Sequence, residues 1–176
     1  MFAKSPSAFA VNPRISPYDI ACEPSPSIPA ETLLQDGSSA FLLFFAVSKT
    51  VSETGYFRDL GVAVVECVDC SATKFGYPND EGLPEHTLYG YGLGGASSSV
   101  LEVADSPWAS EVAEQMKQSF ARIWRREATP RQLRRHFLIC LNERTFECLA
   151  SELVVRTFAK DFSEAFAFVQ ARFNEH

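Results

Sequence analysis

Ala40 to Asp69 reads AFLLFFAVSKTVSETGYFRDLGVAVVECVD. Two long runs rich in Phe and Val flank Ser52-Glu53-Thr54-Gly55, a turn sequence, so Ala40–Thr50 and Tyr56–Asp69 are predicted to pair as a hairpin. Phe41 to Val47 is apolar at every position, which suits a central strand covered on both faces rather than a strand with one wet side. A second hairpin is expected from Arg135–Leu141 and Thr145–Thr157 around Asn142-Glu143-Arg144. Ser98–Val103 supplies one further strand.

Helical periodicity occurs in two places. Ser106 stands as an N-cap with Pro107 at the first helical position, and Trp108, Val112, Met116, Phe120, Ile123 and Trp124 recur at steps of three and four. Arg122, Arg125 and Arg126 crowd the end of that helix, where cations suit the dipole, and Ala128-Thr129-Pro130 breaks it. Asp161 with Glu164 is a capping pair for a last helix whose stripe is Phe162, Phe166, Val169 and Phe173. Ala30–Gln35, between Pro29 and Gly37, reads as a short helix. The expected fold is α+β: an antiparallel sheet of two long hairpins plus one further strand, with two amphipathic helices packed on one face.

The chain has 176 residues, 46% of them hydrophobic, with 15 Phe, which is enough for one domain with a sizeable core. Residues 1–29 hold six of the ten prolines and read as an extended arm, resting on the domain through Phe9, Ile15 and Tyr18 or serving a partner. Residues 30–176 form the domain. The longest apolar run is too short to span a bilayer, and the N-terminus lacks the basic and apolar regions of a signal peptide, so a cytoplasmic protein without membrane contact is expected.

The net charge is −6. An acidic protein repels a phosphate backbone, which disfavours nucleic acid as a partner. The one basic cluster includes Arg131, Arg134 and Arg135; these are expected to answer the acids of the 75–95 loop or a bound anion. Five cysteines, an odd number in apolar settings, suit reduced thiols. Cys67 and Cys70 have the C-x-x-C spacing, yet they end a β-rich run, where strand alternation would set them on opposite faces. No second Cys pair stands at metal-ligand spacing, and neither a metal nor a cofactor is expected.

Phe75 to Gly95, FGYPNDEGLPEHTLYGYGLGG, is the stretch with functional character. It holds six of the nine glycines and three of the five tyrosines. A loop of this length without periodicity is uncommon unless functional or disordered, and its tyrosines and leucines give it surface to bury. Pro78-Asn79-Asp80-Glu81-Gly82 reads first as a turn. It also reads as part of a site: Asp80, Glu81 and His86 are candidates for proton transfer, with Tyr77, Asn79, Tyr89, Tyr91 and Arg135 as ligand contacts. The glycines match neither a P-loop nor the dinucleotide fingerprint. Alternation along the second hairpin puts His136, Leu138 and Cys140 on one face, with Glu147 or Cys148 opposite; His136 and Glu147 are a candidate base and its orienter.

Two functions follow as expectations. The first is a small-molecule site under the 75–95 loop, in a binding protein or in an enzyme using carboxylate and histidine acid–base chemistry. The second is a protein-interaction module, an inhibitor or accessory subunit, using the acidic loop or the arm. No pattern in the sequence encodes an oligomeric state.

Overall fold

In a computed structural model the described residues of the chain form ten strands and two α-helices. The structure describes residues 12–37, 39–53, 55–124, 134–159 and 161–175, with side chains of 120–124 excepted. In chain order the elements are β1 (Arg14–Pro17), β2 (Glu23–Pro24), β3 (Thr32–Asp36), β4 (Ser39–Val51), β5 (Phe57–Val68), β6 (Ala72–Gly76), β7 (Val100–Ala104), α1 (Pro107–Trp124), β8 (Arg135–Cys140), β9 (Thr145–Ala150), β10 (Glu152–Phe158) and α2 (Phe162–Phe173). The strands pair antiparallel throughout, and with the two helices the class is α+β.

There are two sheets where the sequence suggested one. The first runs β1-β7-β8-β9-β6; the second runs β10-β5-β4-β2, with β3 also on β4. Their inner faces meet in one core, with Leu42, Phe44, Val65 and Cys67 from the second sheet against Phe137, Ile139, Phe146 and Cys148 from the first. The physical reason lies in β4. A strand apolar on both faces needs cover on both sides: the first sheet buries one face, and α2 buries the other by packing Ala165 and Val169 on Phe41, Leu43, Val62 and Val64.

The helices therefore do not share a face. The first turn of α1 lies at the outer face of the first sheet, where Ser106 meets His136. Of the apolar stripe expected along α1, Trp108 and Val112 are half-buried while Met116 is 40% exposed. The side chains of Phe120, Ile123 and Trp124, together with Phe9, Arg125, Arg126 and Arg131 and the break at 128–130, lie outside the described residues.

Thr145–Thr157 is not one strand. At Ser151 the chain leaves the first sheet and enters the second, while alongside it residues 69–71 cross from β5 to β6. Ser71 N–H donates to Leu149 O at 2.8 Å and Ser151 N–H to Val68 O at 2.9 Å, so the ladder continues around the bend. Strands that switch sheets at a corner are a recognised way to close such packings. Asp69 takes a left-handed conformation there (φ 52°) and turns Cys70 back toward the core, so Cys67 and Cys70 sit in one cluster rather than on opposite faces.

Ala30–Gln35 is not helical. Thr32–Asp36 pairs with Ser39–Leu43, and Gly37 (φ 39°) makes the tight reversal between them. The arm segment adds to both sheets: Arg14–Pro17 pairs with β7, Glu23–Pro24 with β4, and Tyr18 packs on Phe137. No helix among the described residues is long and apolar enough to cross a membrane.

Candidate functional site

The outer face of the first sheet carries the site. Alternation sends His136, Leu138 and Cys140 of β8 outward, and the register sets Leu138 opposite Glu147 and Glu147 opposite Lys74. Lys74, Glu147 and Leu138 thus form a row across three strands. The 83–93 segment folds over this face in short 3-10 turns and packs Leu88 and Leu93 on Leu101, Val103 and Leu138. Anchoring by these leucines turns His86 inward, where it is 8% exposed.

Five polar side chains meet here, and all but Lys74 are buried. His136 Nε2 lies 2.9 Å from Glu147 Oε2, and His136 Nδ1 lies 2.8 Å from Ser106 Oγ. His86 Nε2 faces Glu147 Oε1 at 3.7 Å, and Lys74 Nζ lies 3.3 Å from the same oxygen. His136, Ser106 and Glu147 are 2%, 3% and 7% exposed, so their hydrogen bonds must be internal. Trp108 closes one side. Its ring meets His136 edge-on at 5.0 Å between centroids and carries Lys74 Nζ over its face at 3.9 Å.

The proton positions follow from the partners. A carboxylate only accepts, so His136 Nε2 carries its proton toward Glu147. Ser106 Oγ accepts the Ala109 N–H at 3.1 Å, as the N-cap of α1, and shares a second hydrogen bond with His136 Nδ1. His86 Nδ1 accepts the Leu88 N–H at 3.1 Å, which leaves the ring proton on Nε2, pointing at Glu147. Burial pushes the Glu147 carboxyl up, but the His136 hydrogen bond, the approach of His86 and the charge of Lys74 outweigh it and hold it well below the usual carboxylate range.

Serine, histidine and glutamate in a line have the composition of a hydrolytic triad. Ser106 does not fit the nucleophile's role, because its oxygen is closed off beneath the first turn of α1 and engaged as a cap. Metal binding does not fit either: both imidazole Nε2 atoms carry protons turned on Glu147, and among the described residues no group of three or more His, Cys, Asp or Glu is arranged to hold an ion. What remains available is Glu147 Oε1. Its contacts at 3.3 and 3.7 Å are long, and the Glu147 side chain helps line a cavity of about 220 Å³ together with Lys74, Phe75, Gly76, Tyr77 and Thr145. A larger cavity of about 420 Å³ lies under Leu83 and Leu93, but its charged groups are engaged: Glu23 with Ser98 and Ser99, Lys49 with Asp19.

The structure brings His86, His136 and Glu147 together and leaves the other candidates apart from them. Asp80 and Glu81 are exposed; Asp80 Oδ1 accepts the Glu81 N–H and Asn79 Oδ1 accepts the Gly82 N–H, so this run works as a turn. Tyr89 and Tyr91 point outward and line neither cavity. Tyr77 is 69% exposed, stands at the rim of the smaller cavity and donates to Glu85. Arg135 grips Glu102 with two bonds of 2.6 and 2.7 Å and stacks on Tyr18, and Arg134 pairs with Asp69. The expectation that these arginines answer the loop acids is corrected accordingly, and Arg131 lies outside the described residues.

Sequence reasoning missed Lys74, Ser106, Trp108 and Thr145 as neighbours of the histidines. Reading Ala72–Gly76 as a strand would have found Lys74, since alternation and the β9 register place it beside Glu147. No family model matches the chain, and no curated protein or solved structure is significantly similar to it.

Proposed function

We propose that the protein binds a small polar molecule in the cavity beside Glu147, and that acid–base chemistry on that molecule runs through His86. The observation that carries this reading is a nearly buried carboxylate kept ionised, with one oxygen held by His136, the other faced by Lys74 and His86, and its side chain lining a cavity. A carboxylate held this low is a weak base, so Glu147 anchors and orients. The proton assigned the moving role is the one on His86 Nε2, which faces Glu147 Oε1 at 3.7 Å behind the closer Lys74 Nζ at 3.3 Å. His136 and Ser106 are positioning residues that fix Glu147 from behind, and Lys74 is the cationic contact at the mouth. A reducing, cytoplasmic setting suits this protein's buried thiols.

The test is a fragment screen read by amide chemical shifts of Gly76, Tyr77 and Thr145. Fragments that shift these amides in the wild type, and no longer do so in Glu147→Gln, support the reading; a screen in which no fragment moves them sinks it.

The outward loop surface favours a second reading, a module that meets a basic partner. Tyr77, Tyr89 and Tyr91 are 69%, 38% and 46% exposed beside the exposed Asp80, Glu81 and Glu85. This reading predicts that Asp80→Lys with Glu81→Lys destroys partner binding, whereas Glu147→Gln leaves it intact.

A further inference from the structure

The chemistry of the Glu147 cavity narrows the class of molecule it takes, and the argument rests on the proposal that this cavity is the binding site. At its wall an anionic oxygen and a cationic nitrogen stand 3.3 Å apart. Glu147 Oε1 is faced by Lys74 Nζ at 3.3 Å and His86 Nε2 at 3.7 Å, both longer than the 2.9 Å bond that His136 makes to Oε2. Lys74 Nζ, on a side chain 51% exposed, has further N–H groups to offer beyond the one facing Glu147. Thr145 is 5% exposed, lines the same cavity, and its hydroxyl forms no hydrogen bond among the described residues. The wall therefore presents one acceptor, one cationic donor and one uncommitted hydroxyl within a small space.

We propose that the ligand is a small zwitterion of the α-amino acid class, its ammonium bonded to Glu147 Oε1 and its carboxylate to Lys74 Nζ. Charge balance is the first reason. At the wall itself a single cation, Lys74, already stands against a single anion, Glu147. A carboxylic acid would set a second negative charge next to a carboxylate only 7% exposed, and a simple amine would set a second cation beside Lys74, and each like-charge contact is unfavourable. A zwitterion lays each of its charges against the opposite one and leaves the total unchanged. Spacing is the second reason: the two wall charges are neighbours, as are the charges on a single α-carbon, whereas a longer ω-amino acid would overshoot. Size is the third, because a cavity of about 220 Å³ falls below the ~300–1,000 Å³ that holds drug-sized ligands. Thr145 then provides a donor or acceptor for whichever end lies deeper.

Calorimetric titration of the full chain with glycine, glycolate, acetate and ethanolamine tests this, alongside the amide shifts of Gly76, Tyr77 and Thr145. Glycine is expected to bind more tightly than the other three by roughly tenfold or more, about the worth of one charge-assisted hydrogen bond. Lys74→Gln and Glu147→Gln, each checked for folding by circular dichroism, are both expected to erase that preference. Glycolate or acetate binding as tightly as glycine overturns the zwitterion, as does a preference that survives Lys74→Gln. If neutral or aromatic fragments shift the three amides while glycine does not, the ligand class is wrong and the cavity remains a binding site. If nothing shifts them, both conclusions fall.

Discussion

Replacing Glu147 asks whether the cluster exists as a unit. In Glu147→Ala the buried His136 Nε2–H loses the acceptor at 2.9 Å, His86 Nε2–H loses the oxygen it faces, and the side chain's volume is left empty. An unpaired buried donor costs about 1–3 kcal/mol and the emptied side-chain volume adds roughly 2, so the sum is about 3–5 kcal/mol. For a chain of this length each kcal/mol moves the melting temperature by roughly 2–4 °C, so a fall of about 6–20 °C is expected. Glu147→Gln keeps the shape and an acceptor for His136, and loses only the charge on those bonds, a cost of about 1 kcal/mol. Thermal unfolding followed by far-UV circular dichroism measures both. The acid limb adds a second check. The Glu147 carboxyl is held below its unfolded value, so it contributes stability that is complete above about pH 4.3 and is lost as pH falls further toward the folded value. Glu147→Gln should lose less stability than wild type over that window. An alanine variant costing under about 1 kcal/mol, or a glutamine variant costing as much as alanine, would refute the network described here.

Three further outcomes are expected. Gly61→Ala should destabilise by well over 1 kcal/mol in urea unfolding, because Gly61 has φ +81° and an added Cβ would lie 2.1 Å from the Phe158 carbonyl oxygen. Asp80→Ala should shift stability by no more than about 0.5 kcal/mol, since its carboxylate caps only the exposed Glu81 N–H; a larger loss in the same assay would mean that the turn scaffolds the site. All five cysteines should label as thiols after denaturation and resist labelling when folded, because burial pushes Cys22 up to about 11 and Cys70 and Cys140 up to about 12; a Cys67–Cys70 disulfide in reduced extract would contradict this.

The hairpins were legible because their information is local: apolar runs bounded by Ser52–Gly55 and by Asn142–Arg144 leave little choice of partner. The number of sheets was not, because it depends on which strand pairs with β5, and the answer, β10, lies 83 positions away at the bend. Leu33-Leu34 between Pro29 and Gly37 satisfies a one-turn helix and a short strand equally, and pairing with β4 decided it. At the site, strand alternation was enough to bring His136 near Glu147. Grouping Asp80 and Glu81 with His86 relied on closeness in sequence, and the 3-10 turns separate them by sending one inward and the others to water. Ser106 was legible as a cap, but nothing local showed that the same oxygen would also hold a histidine from a strand 30 positions on.

The bend shared by β5–β6 and β9–β10 bears on the order in which the chain can fold as it is made. β5 and β6 are synthesised early, yet each has a strand from the far end of the chain as its neighbour along this spine. Until residues 145–158 emerge, both present unpaired backbone edges, and β5 is rich in valine. Pairings this distant in sequence close slowly. The nascent protein therefore passes through a period in which its most adhesive strands are unprotected, and the cell must shield it until the last quarter of the chain has arrived.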